Sequence, residues 1–186
     1  QLAMKLGSRG HSVSVLTNRW PAGVSRSEVL EGVPVTRLRF PLPAARPTNV
    51  IRFALSAPTA AFRLIRHVRV TRADVVHVIG AGPQSVYLGF VAPFLRARLV
   101  FTGQGELTFD AQDVFGRSTS LRVGLRRMLQ AADIVTACSA FALRDLQAFG
   151  SVRGPAHVVP NGVDPNEFGV SGADNGSSAY ILAVGR

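Results

Sequence analysis

"DVVHVIGAGPQSVYLGFVAPFL", residues 74–95, carries no formal charge after its first residue. The uncharged run 75–95 is long enough on paper to cross a bilayer. Its interior argues against that reading, because His77, Gly80, Gly82, Pro83, Gln84 and Ser85 interrupt the apolar pattern. The stretch instead reads as a buried strand, a tight turn and a helix start, with Pro83 at a first helical position. Strand, glycine turn and helix in succession form the repeating unit of an α/β fold.

The same alternation extends in both directions. Strands are expected over 12–17, 33–40, 74–79, 98–102, 133–137, 156–159 and 180–184, with helices near 51–67, 83–95, 118–130 and 139–149. The chain opens in "QLAMKLGSRG", which reads as a helix already in progress with Gly10 as its stop, so an upstream segment is expected. Continuous Val and Ile runs suit parallel strands buried on both faces. "PLPAARP", 41–47, reads as an irregular loop, and "GVSGADNGSS", 169–178, as a flexible linker. The fold class is therefore α/β, a Rossmann-like parallel sheet flanked by helices.

Composition narrows the function classes. A chain of 186 residues, 47% of them hydrophobic, can bury a domain-sized core. Cys138 is the only cysteine, so no internal disulfide or multi-cysteine metal site can form, and a small buried role is expected for it. The four histidines lie far apart without zinc-ligand spacing, and no metal is expected. Net charge is +10, and Lys5 is the only lysine among 21 basic residues. One basic cluster is concentrated: "FRLIRHVRVTR", 62–72, sets Arg63, Arg66, His67, Arg69 and Arg72 among apolar residues. Such a helix end can meet anionic lipid or phosphates, although a solvated face is the commoner role. No nucleic-acid partner is expected, since no helix-turn-helix, zinc-finger or aromatic-basic motif accompanies the charge.

In parallel α/β sheets ligands gather beyond the carboxyl ends of the strands. After 74–79 come Gly80 and Gly82, where free backbone amides could receive a phosphate or hydroxyl. This loop approaches a G-x-G-x-x-G fingerprint with Ser85 in the third small position, which keeps an NAD(P)-dependent Rossmann oxidoreductase as an alternative. The strand before it is about the third in the chain, whereas that fingerprint follows a first strand. After 98–102 comes "GQGELTFDAQD", which gathers Gly103, Gln104, Gly105, Glu106, Asp110 and Asp113. Two glycines let a ligand approach the backbone there. A carboxylate such as Glu106, the candidate catalytic group, could hydrogen-bond a sugar hydroxyl or take its proton. Helix capping is an equal role for some of these acids, and it is the first role expected for Ser139.

Taken in order, "LAMKLGSRGHSVSVLT" (2–17), "ADVVHV" (73–78), "ADIVTACS" (132–139) and "VVPNGVDPNEF" (158–168) resemble the N-terminal half of a GT-B glycosyltransferase of family 4, the group 1 transferases. The last piece looks like that family's interdomain signature, bringing Asn161, Gly162 and Asp164 to the site, and "YILAVGR" (180–186) looks like the first strand of the donor domain. The resemblance implies an acceptor domain over 1–168, a linker over 169–178, and over 179–186 the start of a C-terminal donor domain otherwise absent from the chain. It implies retaining transfer of a sugar from a UDP- or GDP-linked donor to a lipid, glycan or small molecule. No cofactor or metal is implied, the nucleotide-sugar being a substrate. Arg186 matches an arginine that contacts the donor diphosphate, a role suited to a fixed cationic fork.

Many members carry histidine in a T-x-H-G pattern where "TGQGE" has Gln104, a neutral amide that cannot act as a base. His77 is expected to be a packed core histidine rather than its substitute. The remaining expectations are a cytoplasmic protein with peripheral contact at the inner face of an anionic membrane, and a chain inactive without its donor domain. A non-catalytic sugar or membrane-surface binding module stands as a second alternative.

Overall fold

A computed structural model describes residues 1–43, 47–105, 107 and 114–162. The elements run α1 (Leu2–Ser8), β1 (Val15–Asn18), β2 (Ser27–Leu30), β3 (Val33–Leu38), α2 (Pro47–Val70), β4 (Val75–Ile79), α3 (Pro83–Val91), a 3₁₀ turn (Ala92–Phe94), β5 (Arg98–Gly103), α4 (Val114–Arg117), α5 (Thr119–Ala131), β6 (Ile134–Ala137), α6 (Ala140–Phe149) and β7 (Ala156–Val158). The uncharged run 75–95 is thus split between a strand and a helix. Among the described residues no helix is long and apolar enough to cross a membrane.

Two sheets form. β4, β5, β6 and β7 lie side by side, all parallel, and β1, β3 and β2 form a smaller mixed sheet. In the smaller sheet β1 runs parallel to β3, and β2 closes an antiparallel hairpin through Glu31 (φ 50) and Gly32 (φ 80). The sequence reading missed β2, although an X-Gly pair flanked by Val29, Leu30 and Val33 is a hairpin signal.

One face of the four-stranded sheet is dry. Leu99, Phe101 and Val135 are at most 3% exposed, and Leu125, Met128 and Leu129 from α5 belong to the same core. The helices above this face cross unusually closely. A Cβ on Gly124 of α5 would lie 2.6 Å from the Val86 Cα of α3, and one on Gly89 of α3 would lie 2.8 Å from the Gly124 carbonyl oxygen. Backbone meets backbone there, and no side chain can intervene. α3 also joins the two sheets: the buried Tyr87 hydroxyl donates to the Pro41 carbonyl at 2.6 Å, and its ring lies 5.3 Å from that of Phe40. Burial pushes the Tyr87 pKa up to about 12, so the phenol stays a donor.

The expectation of burial on both faces needs correction. Val75, His77 and Ile79 of β4 and Ile134 of β6 are exposed on the opposite face, where only Thr102 of β5 is buried among the described strand residues. Cys138 is half-buried rather than buried. The helix expected over 51–67 extends to Pro47–Val70, its first residue a proline whose missing N–H costs nothing at a helix start. The strand expected over 180–184, the linker over 169–178 and both domain limits lie outside the described residues.

Asp133 secures the entry into β6. Its carboxylate accepts from the Leu99 amide and from Arg98, each at 2.8 Å, while its own amide donates to the Leu99 carbonyl. The Leu99 amide, then Arg98, hold its pKa below the ordinary 3.8. A lowered carboxylate pKa stabilises the fold above the unfolded value and loses that effect as pH falls through the folded value. Asp133→Asn should therefore lower the melting temperature at pH 7, with the deficit shrinking towards pH 3; a deficit independent of pH would contradict the assignment. Gly124→Ala should destabilise by about 1–3 kcal/mol through overpacking, although alanine is the better helix former by about 1 kcal/mol. An unchanged urea midpoint would show that α3 and α5 can part without cost.

Candidate functional site at the strand ends

Because β4 to β7 are parallel, their carboxyl ends share one edge, and the loops leaving them lie in strand order. Main-chain bonds tie each loop to its neighbour. The Gly80 amide donates to the Thr102 carbonyl at 2.9 Å, the Cys138 amide to the Gly103 carbonyl at 3.2 Å, and the Val159 amide to the Ala137 carbonyl at 2.9 Å. The loop after each strand thus begins from a fixed position.

Two of the expected residues meet in space. The Asn161 side-chain amide donates to Gln104 Oε1 at 3.1 Å, joining the loop after β7 to the loop after β5 across 57 residues of chain. Since β6 lies between those strands, the pair bridges the end of β6, where Ser139 begins α6. Each amide keeps further hydrogen-bonding capacity: Gln104 its NH₂ group, Asn161 its carbonyl. Gly105 turns the chain with φ +86 in open space, a conformation other residues rarely adopt, so the backbone there is accessible from outside. Gly103, by contrast, is buried where Leu146 packs, and a Cβ on it would lie 2.5 Å from Leu146 Cδ1.

Beside Gln104 is a cavity of about 10 Å³, lined also by Ala81, Gly105, Leu107 and Asp145 among others. It has room for about one water molecule. Asp145 is a lining residue that the sequence reading did not single out. The signal was present: it lies within the stripe Ala142, Asp145, Leu146, Phe149 of α6, where a carboxylate interrupts an otherwise apolar, inward-facing pattern.

The remaining strand-end residues act chiefly as caps. Ser139 Oγ accepts from the Ala142 amide at 3.1 Å, as expected of an N-cap. At α3 the buried Ser85 hydroxyl accepts from the Gly82 amide at 3.3 Å, so that donor is already engaged. This loop follows the outer strand of the four-stranded sheet, whereas a dinucleotide fingerprint belongs where strand order reverses after a first strand. The geometry thus gives the oxidoreductase alternative no support. Gly162 ends the described chain on the exposed side. Glu106, Asp110, Asp113, Asp164 and Arg186 lie outside the described residues.

His77 is not the packed core histidine expected. It lies on the exposed face of β4, with Nε2 2.6 Å from Thr102 Oγ1, which is itself 2.6 Å from Thr136 Oγ1. Partial desolvation lowers its pKa, favouring the neutral ring at pH 7. It stands within the strand, away from the loops. Among the described residues no three His, Cys, Asp or Glu side chains gather as metal ligands.

Comparison with known proteins agrees with this architecture. The chain resembles two structures of sucrose-phosphate synthase from Thermosynechococcus elongatus. One is 13% identical with a TM-score of 0.61, covering 90% of this chain and 85% of that one. The other is 14% identical with a TM-score of 0.67, covering 89% of this chain but only 42% of that one. At such identity the likeness concerns the fold, that of a GT-B N-terminal, Rossmann-like domain. No curated protein matches the sequence. The model of Glycosyltransferase Family 4 matches residues 1–167. With nearly its whole length matched, the chain belongs to glycosyltransferase family 4.

Proposed function

We propose that this chain is the acceptor-binding half of a retaining, group 1 glycosyltransferase that moves a sugar from a UDP- or GDP-linked donor to a lipid, glycan or small-molecule acceptor. The observation that carries this reading is the Gln104–Asn161 bridge over the end of β6. A sugar hydroxyl both donates and accepts, and two coupled amides beside an accessible glycine backbone can do both for it. Glu106, two residues on, supplies the carboxylate that a neutral Gln104 cannot, as a hydrogen-bond acceptor or a base. Gly105, Gly162 and Asp164 complete the proposed acceptor side, while Gly80, Gly82, Gly103 and Ser139 shape the loops that carry it. Arg186 is proposed to meet the donor diphosphate. The setting is cytoplasmic, with peripheral contact at an anionic membrane.

Holding donor and acceptor in register can be worth roughly 7–11 kcal/mol of barrier. A chain carrying one side of such a cleft is therefore expected to transfer no sugar by itself and to bind nucleotide-sugars negligibly. Saturable micromolar binding of UDP-glucose or GDP-mannose by residues 1–186 in calorimetry would contradict this division of labour.

In the full-length enzyme, Glu106→Gln should lower turnover by well over tenfold, since a positioned acid or base typically contributes roughly a hundredfold or more. Unchanged turnover would remove Glu106 from the site. Gln104→Ala and Asn161→Ala should each raise the acceptor KM by about two- to tenfold, the worth of one neutral hydrogen bond. The double variant should cost less than the product of the two, because the residues act as a pair. Strictly multiplicative effects would mean that the bridge plays no part in binding.

A further inference from the structure

Helix α2 is apolar on two opposite faces. Ala60, Leu64 and Val68 follow one another at every fourth position and pack into the core at 6%, 1% and 6% exposure. Across the helix, Ile51, Leu55 and Phe62 fall on one line at 3.6 residues per turn and stand 63%, 76% and 64% exposed. Arg66 and Arg69 continue that line, and Val70 beside them is 70% exposed. Opposite the end of the helix stands Phe94, 60% exposed, with its carbonyl accepting from Arg69 at 3.2 Å. Phe62, Ile65, Arg66, Arg69, Val70 and Phe94 enclose an open groove of about 360 Å³.

The charge along this helix has one sign. Residues 47–70 contain no Asp or Glu, and Arg63 and Arg66 have no hydrogen-bond or ion-pair partner among the described residues. The nearest acid in sequence is Asp74, beyond the helix end. From Ile51 to Val70 the stripe runs roughly 29 Å at 1.5 Å per residue. A long apolar line flanked by unpaired guanidinium groups fits a surface that offers hydrocarbon and phosphate together over that length. The groove lies at the amino ends of the strands, since α2 leads into β4 and Phe94 precedes β5. It is therefore separate from the strand-end loops.

We infer that the outer face of α2, together with Phe94, is a docking surface for an anionic lipid bilayer, with Phe62 and Phe94 entering the interface and Arg63, Arg66 and Arg69 facing lipid phosphates. This gives the membrane contact proposed above a defined surface, and it can be tested without any sugar transfer, so its failure leaves the transferase reading standing. The probe is a vesicle of phosphatidylcholine with three parts in ten phosphatidylglycerol, against pure phosphatidylcholine, in co-sedimentation with the full-length protein. Binding should require the anionic lipid and fade in high salt. Arg63→Gln with Arg66→Gln should weaken it roughly tenfold or more, and Phe62→Ser with Phe94→Ser should do likewise. Arg153→Gln, an exposed cation elsewhere, should leave it unchanged. Hydrogen exchange of the unaltered protein on the vesicles should slow within 51–70 and 92–96, a readout that does not depend on any variant folding. Absence of vesicle binding, equal losses from Arg153→Gln, or displacement from vesicles by soluble polyglutamate without any effect of the phenylalanine substitutions would overturn the proposal. The last result would assign the surface to an acidic protein partner.

Discussion

The structure depends on keeping four parallel strands in register while their ends stay polar. Between β4 and β7 the pairing runs unbroken, and at each carboxyl end an amide of one strand or loop still reaches a carbonyl of the next. These bonds turn a row of flexible loops into a row of fixed positions. Where Gln104 and Asn161 meet is consequently set by the sheet, even though 57 residues separate them along the chain. On the helix side of the sheet, α3 and α5 touch through glycine. Any side chain there would push α3 outward, and α3 carries both the loop 80–82 and the tie to the smaller sheet through Tyr87.

Much of this was legible in the sequence because apolar periodicity and punctuation agree. Strand, glycine pair and proline at 74–83 gave β4, its turn and the start of α3 correctly, although the helix expected to reach 95 gives way to a 3₁₀ turn after Val91. β2 escaped because four residues with only two apolar positions give little period, and its clearest mark, Glu31-Gly32, is a turn signal rather than a strand signal. His77 misled for a different reason. A histidine inside a Val/Ile run looks buried if the strand is assumed covered on both sides, and β4 is covered on one. Sequence could assign Gln104 and Asn161 to loops but not to each other, because their meeting depends on which strands are neighbours. Asp145 was hidden in a helix whose inward stripe becomes visible only once α6 is laid on the sheet.

The two ends of the sheet have different chemistry. At the carboxyl ends lie amides, glycine backbone and the Asp145 carboxylate, groups suited to neutral hydroxyls. At the amino ends, beside the last turns of α2, lie phenylalanines and the arginines of a helix that has no acid of its own, with Asp74 and Asp133 at the starts of β4 and β6. Arginine is distributed over the whole chain, so net charge alone says little about binding. The arginines near the amino ends differ among themselves: Arg98 is paired with Asp133, and Arg126 and Arg127 lie over the Phe149 and Phe90 rings, whereas Arg63 and Arg66 have no partner among the described residues.

The central claim is that the strand-end loops form the working edge of a sugar-transfer cleft. Amide hydrogen exchange of the full-length protein, with and without saturating UDP-glucose or GDP-mannose, tests it most directly. Closure of a donor over this edge should slow exchange within 80–85, 103–107, 138–142 and 159–162, and leave the amino ends of the strands unchanged. A nucleotide-sugar that binds to saturation yet alters none of these four segments, or alters only the opposite end of the sheet, would contradict the account.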